Sequence, residues 1–358
     1  MHSYNYLSNE LPRELIETYN DLQSDLLRII VKNLKKGTEP IKVFSQLQQK
    51  TDDYKPLIEK VTAMIFKDSE NKTVKSNEKQ FANEEPGDVI PLSKGEANSM
   101  VQPLFLGAML FIEQLNKKIV NSAYSRYSAS YQQVNTGLKF MSGTERLKQV
   151  YKGIIKNGIT IYESFGGGKS KNYSVENVLR RDVMSLVNKS NAEVNKSNFM
   201  KSSAKFIETS SHPTARTWNK YMKHPYEDHS SWQGKVYYSK DGEAVEGYEE
   251  FESTCGYGEM LGICGINCYH QFQMNYTGDT QATQYSEEEV EKQYALSQQQ
   301  RAYERAIRQL KQSKAVWEEA GEDKLAKEIG RNITSATRVL KDFCEKNDLK
   351  YYNWRTQI

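Results

Sequence analysis

Apolar residues recur at helical spacing along much of the chain. Leu15, Tyr19, Leu22, Leu26, Ile29 and Ile30 share one face at a period of about 3.6 residues, and Gly37 stands where a helix stop is expected. A second apolar stretch, residues 41–66, contains Pro56. Proline removes an amide donor and crowds the preceding turn, so two short helices are expected there. Residues 67–95 are rich in Lys, Asn, Glu and Ser, with Pro86-Gly87 as a turn, which predicts an exposed connection. Residues 100–120 hold Leu104-Phe105-Leu106 and Met109-Leu110-Phe111-Ile112 between polar flanks and read as a buried helix. In residues 122–136 tyrosine and serine alternate (Tyr124, Tyr127, Tyr131) in a pattern that fits neither helix nor strand.

Further on the punctuation is clearer. Ser142 and Glu145 have capping-box spacing, Leu147, Val150, Tyr151 and Ile154 follow on one face, and Gly158 lies beyond. Ser174 is placed as an N-cap for a helix with Val178, Leu179, Val183, Leu186 and Val187 as its stripe and Arg180, Arg181 and Asp182 on its flanks. Near the end, Tyr303, Ala306, Ile307, Leu310 and Trp317 step down one helix, and Ala320-Gly321-Glu322-Asp323 turns the chain. Leu325, Ile329, Ile333, Ala336, Leu340 and Phe343 step down another, so a helical hairpin is expected. The predicted class is α+β, predominantly helical. Its expected parts are an N-terminal helical region (1–85), a second helical region (96–170), a compact α+β domain (171–283) and a C-terminal helical hairpin and tail (284–358).

Composition adds exclusions. The 358 residues exceed one ordinary core. With 49 basic and 46 acidic residues, no global field favours nucleic acid or an anionic membrane. No run approaches the roughly 18–20 apolar residues needed to cross a bilayer. The opening Met1-His2-Ser3-Tyr4-Asn5 lacks the pattern of a signal peptide, so a cytoplasmic site of synthesis is expected. Cys255, Cys264, Cys268 and Cys344 are too few and too clustered for a disulfide framework and are expected as thiols. Gly166-Gly167-Gly168-Lys169-Ser170 invites comparison with a phosphate-binding loop. That loop needs another glycine where this chain has Glu163, and a flexible turn is the reading preferred.

Residues 208–272 differ from everything around them. They hold His212, His224, His229 and His270 of the five histidines, Cys255, Cys264 and Cys268 of the four cysteines, and Trp218 and Trp232 of the four tryptophans. Four stretches carry a resemblance: Glu208-Thr209-Ser210-Ser211-His212-Pro213-Thr214-Ala215-Arg216, His229-Ser230-Ser231-Trp232-Gln233-Gly234-Lys235-Val236-Tyr237, Gly256-Tyr257-Gly258, and Leu261-Gly262-Ile263-Cys264-Gly265-Ile266-Asn267-Cys268-Tyr269-His270. In this order they resemble the phage minor capsid protein 2 family, which is similar in turn to the head-morphogenesis F protein of phage Mu and its relatives. Arg180-Arg181-Asp182-Val183 with Asn188, and Glu304-Arg305 to Arg308, resemble the helices on either side. The likeness runs over about residues 147–310, and residues 218–228 look like an insertion between Arg216 and His229. The resemblance implies a low-copy structural protein of the phage or prophage head, made in the bacterial cytoplasm. It would contact portal, scaffold, major capsid protein or packaged DNA, and no established reaction is implied.

From the residues themselves, two physical meanings remain open. In one, Arg181, His212, Arg216, Trp232, Gln233 and Gly234 belong to a structural motif in which His212, Arg216, His229 and Trp232 form a buried hydrogen-bonded cluster, Gly234 supplies a tight turn, and Gln233 stays nearer water. In the other, His229, Cys264, Cys268 and His270 ligate a structural zinc ion, the one cofactor the sequence suggests. Two other functions stay in view. Arg216, Glu227, Asp228 and His229 would serve a toxin-like transferase or a metal-dependent nuclease. The basic residues of the C-terminal hairpin, with Tyr124, Tyr127 and Tyr131, would serve a DNA-binding or DNA-ejection factor.

Overall fold

The computed structural model describes residues 13–136, 141–165 and 169–358. Helices dominate them, with two small antiparallel sheets. In chain order the elements are α1 (Arg13–Lys36), α2 (Pro40–Glu84), α3 (Lys94–Thr136), α4 (Gly143–Asn157), β1 (Thr160–Phe165), β2 (Lys169–Ser174), α5 (Val175–Lys201), β3 (Phe206–Thr209), α6 (His229–Trp232), β4 (Val236–Tyr238), α7 (Phe251–Cys255), β5 (Phe272–Asn275), α8 (Glu287–Ala320) and α9 (Asp323–Lys346). The predominantly helical α+β class is therefore the observed one.

The described residues form two compact units, each assembled from separated stretches of chain. One comprises Thr62–Phe111 and Arg180–Ser297; the other comprises Arg13–Val61, Ile112–Leu179 and Gln298–Ile358. Four helices, α2, α3, α5 and α8, contribute residues to both.

The second unit carries most of the expected helical punctuation. The apolar face of α1 is buried, and Gly37 ends the helix at φ +62°, a conformation open to glycine at no steric cost. Ser142 and Glu145 form the capping box of α4, and the Gly158 amide closes it on the Ile154 carbonyl at 2.8 Å. Ser174 Oγ accepts from the Asn177 amide at 3.2 Å as α5 begins. Gly321, at φ +80°, turns the chain between α8 and α9, whose apolar stripes meet around Ile307, Leu340 and Cys344. The residues between β1 and β2, 166–168, lie outside the described residues. The strands on either side pair with each other, Phe165 opposite Lys169, whereas a phosphate-binding loop leads from a strand into a helix.

Three expectations are corrected. Residues 41–66 are not two helices, and residues 67–84 are not a connection: both lie in α2, which runs through Pro56. Val43, Leu47, Ile58, Val61 and Ile65 are buried on both sides of the proline, so packing overrides the local break. Beyond Phe66 the buried stripe turns polar, through Ser69, Thr73 and Asn77, and an apolar-period criterion loses the helix where it continues. Residues 122–136 are also helical, completing α3. Tyr127 is buried with its hydroxyl on the Thr38 carbonyl, Tyr131 stacks on it, and Tyr124 packs edge-on against Phe44 at 5.1 Å.

The first unit holds the histidine- and cysteine-rich segment. Its core gathers Ile207, Trp232, Tyr237, Phe251, Ile263, Phe272 and Met274 with Phe81 and Phe199 from the helices. The sheet order is β4-β3-β5, with Ile207 opposite both Tyr237 and Met274. The other regular pieces here are short, so side-chain bonds to the backbone must hold the intervening loops.

Candidate functional site

Asparagines of α5 supply the first set of those bonds. Asn188, Asn191, Asn195 and Asn198 are spaced three, four and three residues apart, which puts them on one helix face. Asn188 donates to the Cys268 carbonyl at 2.8 Å and accepts from Gln271 at 3.3 Å. Asn191 exchanges hydrogen bonds with Ser69 at 2.8 Å and 2.9 Å and accepts from Thr73 at 3.0 Å. Asn195 accepts from Asn77 and donates to the Phe272 carbonyl, each at 2.9 Å, and Asn198 accepts from the Leu92 amide at 2.8 Å. This seam ties α2, α5 and β5 together. Only Asn188 was singled out in the sequence; the 3-4-3 spacing was the signal that could have found the rest.

The second set centres on three histidines and Gln233, which is buried among them and not nearer water as its polarity suggested, because its side-chain oxygen meets two buried donors. The Gln233 Oε1 accepts from the His212 amide at 2.7 Å and from His270 Nε2 at 3.0 Å. His212 Nε2 donates to the Tyr269 carbonyl at 3.0 Å, and His229 Nε2 donates to the Leu261 carbonyl at 2.8 Å. Carbonyl oxygens only accept, so in each ring the hydrogen sits on Nε2 and the lone pair on Nδ1. The His270 ring lies edge-on to His212, His229 and Trp232, with centroids 5.2, 5.3 and 4.8 Å away. Burial lowers the pKa of all three histidines; for His229, with Arg216's charge adding to the effect, it falls to about 3. They are neutral side chains at physiological pH.

Arg216 reaches across the same region, donating to the carbonyls of Leu261 at 3.1 Å and Ile266 at 2.6 Å. Its guanidinium thus closes the cysteine-bearing loop. Trp232 is buried and donates to the Tyr226 carbonyl at 3.0 Å. Gly234, at φ +66°, gives its carbonyl to Thr280 at 2.9 Å and Gln284 at 2.8 Å. Arg181, on α5, pairs with its neighbour Asp182 at 2.6 Å. The loop itself is too tight for side chains at some positions: a Cβ on Gly262 would lie 2.0 Å from the Gly256 carbonyl oxygen. Cys264 and Asn267 hold left-handed backbone, φ +60° and +55°, without being glycine.

Of the four residues considered as zinc ligands, three come together. One donor atom from each of His229, Cys268 and His270 lies within 4.8 Å of the others. Cys264 stands outside that group, its thiol 3.5 Å from the His270 carbonyl. The residues considered for a transferase or nuclease have local partners. Asp228 caps α6 by accepting from the Ser230 amide at 3.1 Å, and the buried Glu227 accepts from the Lys223 amide at 3.3 Å. His224 is exposed and stacked on Tyr226 at 5.0 Å.

Glu208 was not counted among the site residues in the sequence, yet it holds a whole segment. Its buried carboxylate accepts from the Thr280 hydroxyl and the Ala282 amide at 2.8 Å, the Gln281 amide at 2.5 Å and Gln273 at 3.0 Å. A buried carboxylate with four donors is satisfied.

No solved structure is similar enough to match this chain. Over 95 residues it is 36% identical to a structural protein of Lactococcus phage LL-H, a stretch that covers 26% of each chain. Over 95 residues it is 33% identical to a structural protein of Lactococcus phage mv4, covering 26% of this chain and 77% of that one. The chain thus spans only about a quarter of the length of the LL-H relative. Among the described residues, no helix is long and apolar enough to cross a membrane. The family described as phage minor capsid protein 2 matches residues 5–345, nearly the whole sequence, and this chain belongs to that family.

Proposed function

We propose that this chain is a structural minor capsid protein of a tailed phage or prophage head, present in few copies. It docks on a neighbouring head protein: the portal, the scaffold or the inner face of the capsid. The observation that carries the reading is where the motif residues point. His212, Arg216, His229, Trp232 and Gln233 all bond to backbone or to one another, so they hold loops in place. Such a network rigidifies a surface made of loops, which is what a docking protein needs and what short strands alone cannot supply. Structure-holding, with no bond-breaking step, is the role this arrangement supports.

The test is a mass-spectrometric census of purified heads from the phage or prophage that encodes the chain. The expected result is the protein at a small fraction of the major capsid protein, cross-linking to one head component. Heads free of the protein, or a protein that cross-links to no head component, would remove the assembly reading.

A further inference from the structure

The trio of His229, Cys268 and His270 has the chemistry of a ligand set. We propose that these three side chains bind one divalent transition-metal ion, zinc, with Cys264 outside the ligand set. Imidazole and thiolate are the donors zinc prefers, and all three residues are buried, so a bound ion would be sheltered from solvent.

Three observations support the assignment. The first is distance. Ligands at ordinary zinc bond lengths in a tetrahedron stand roughly 3.3–3.5 Å apart. His270 Nδ1 is 3.7 Å from Cys268 Sγ, so this pair needs only small adjustment, and 4.8 Å bounds the others. The second is the second bond each imidazole makes. His270 Nε2 is fixed by Gln233 at 3.0 Å and His229 Nε2 by the Leu261 carbonyl at 2.8 Å. Metal-binding histidines characteristically donate their other ring hydrogen to an oxygen acceptor, which orients the ring and leaves the lone pair free. The third is connectivity: His229 begins α6, whereas Cys268 and His270 lie beyond the strained loop of Cys264 and Asn267. An ion would join these two stretches where regular structure is sparse, and strained backbone persists only where its surroundings over-determine it.

Zinc takes the sulfur as thiolate, so binding displaces the Cys268 thiol proton, which leaves to solvent.

The experiment uses the full-length chain without a polyhistidine tag. Elemental analysis should find about one zinc per chain. Exchange for cobalt(II) should give a thiolate-to-cobalt charge-transfer band, and X-ray absorption of the wild-type metal should count a single sulfur ligand. Cys268→Ser should lose the band, while Cys264→Ser and Cys255→Ser keep it. Folded wild-type protein that carries no zinc and shows no cobalt band overturns the proposal. A count of two sulfurs, or loss of the metal in Cys264→Ser, overturns the ligand set. The sulfur count is read on the wild type, so the test stands even if Cys268→Ser does not fold.

Discussion

Gln233 places one oxygen between two donors, the His212 amide and His270 Nε2, both buried. Leucine there has similar bulk and no acceptor, so Gln233→Leu strands both hydrogens. Each stranded donor costs about 1–3 kcal/mol. The variant should lose roughly 2–6 kcal/mol by urea unfolding, with the slope unchanged if the loss is local. A loss below about half a kcal/mol would mean that water or a shifted loop replaces the glutamine oxygen. Glu252 illustrates the charged counterpart. Burial alone would raise its pKa, but hydrogen bonds from Lys196, the Lys240 amide and Ser239 outweigh burial and hold it below the ordinary 4.5. A carboxylate depressed in the folded state contributes stability that is complete above its unfolded pKa and is lost as pH falls through the folded one. Glu252→Gln should therefore be less stable than the parent at neutral pH, by about 1–3 kcal/mol, since it removes the buried carboxylate facing Lys196 and leaves only the more exposed Asp241 to pair with that ammonium. The deficit should shrink as the pH drops below about 4.5, read from chemical denaturation in a pH series.

At the scale of elements, α2 shows how tertiary packing and local preference compete. Pro56 lies inside a 45-residue helix, far from the first turn where proline is tolerated. It deprives the helix of one hydrogen bond, and only the buried residues on either side keep the helix whole. Pro56→Ala should restore that bond and raise stability by about 1–3 kcal/mol, seen as a higher midpoint of thermal unfolding. A lower midpoint would mean that the proline's restriction of the unfolded chain outweighs its strain in the helix. The asparagine face of α5 is the complementary case, since its partners are hydroxyls, amides and carbonyls where an apolar stripe would find side chains of its own kind. A polar seam satisfied on both sides specifies register as well as contact.

At the scale of the whole molecule, charge and the placement of aromatics bear on DNA. The formal charge is +3, and several of the cations that composition offers are committed to internal pairs, among them Arg308 with Glu176 at 2.6 Å and Lys196 with Asp241 at 3.1 Å. Of the tyrosines considered for base stacking, Tyr127 is buried and Tyr124 and Tyr131 are half-buried against other rings. Binding to duplex or single-stranded DNA should accordingly be weak and nearly flat with salt in a fluorescence titration. A steep fall in affinity with rising salt would reveal many phosphate contacts and reopen the ejection-factor reading.

The sequence alone determined what depends on neighbours along the chain. The capping box at Ser142 and Glu145, the stops at Gly37 and Gly158, the Ser174 cap and the α8–α9 hairpin follow from spacing and turn chemistry, which act over a few residues. The order of the motifs between Glu208 and His270 identified the family for the same reason, because wording survives in one dimension. Tertiary structure decided whatever depends on residues distant in sequence. It carried α2 through a proline and along a polar face, turned the tyrosines of α3 inward, and gathered His229, Cys268 and His270 while leaving Cys264 outside. Burial of a polar side chain is favourable only once its partner is in place, and those partners sit about 20 to 120 residues away, beyond the reach of any local pattern.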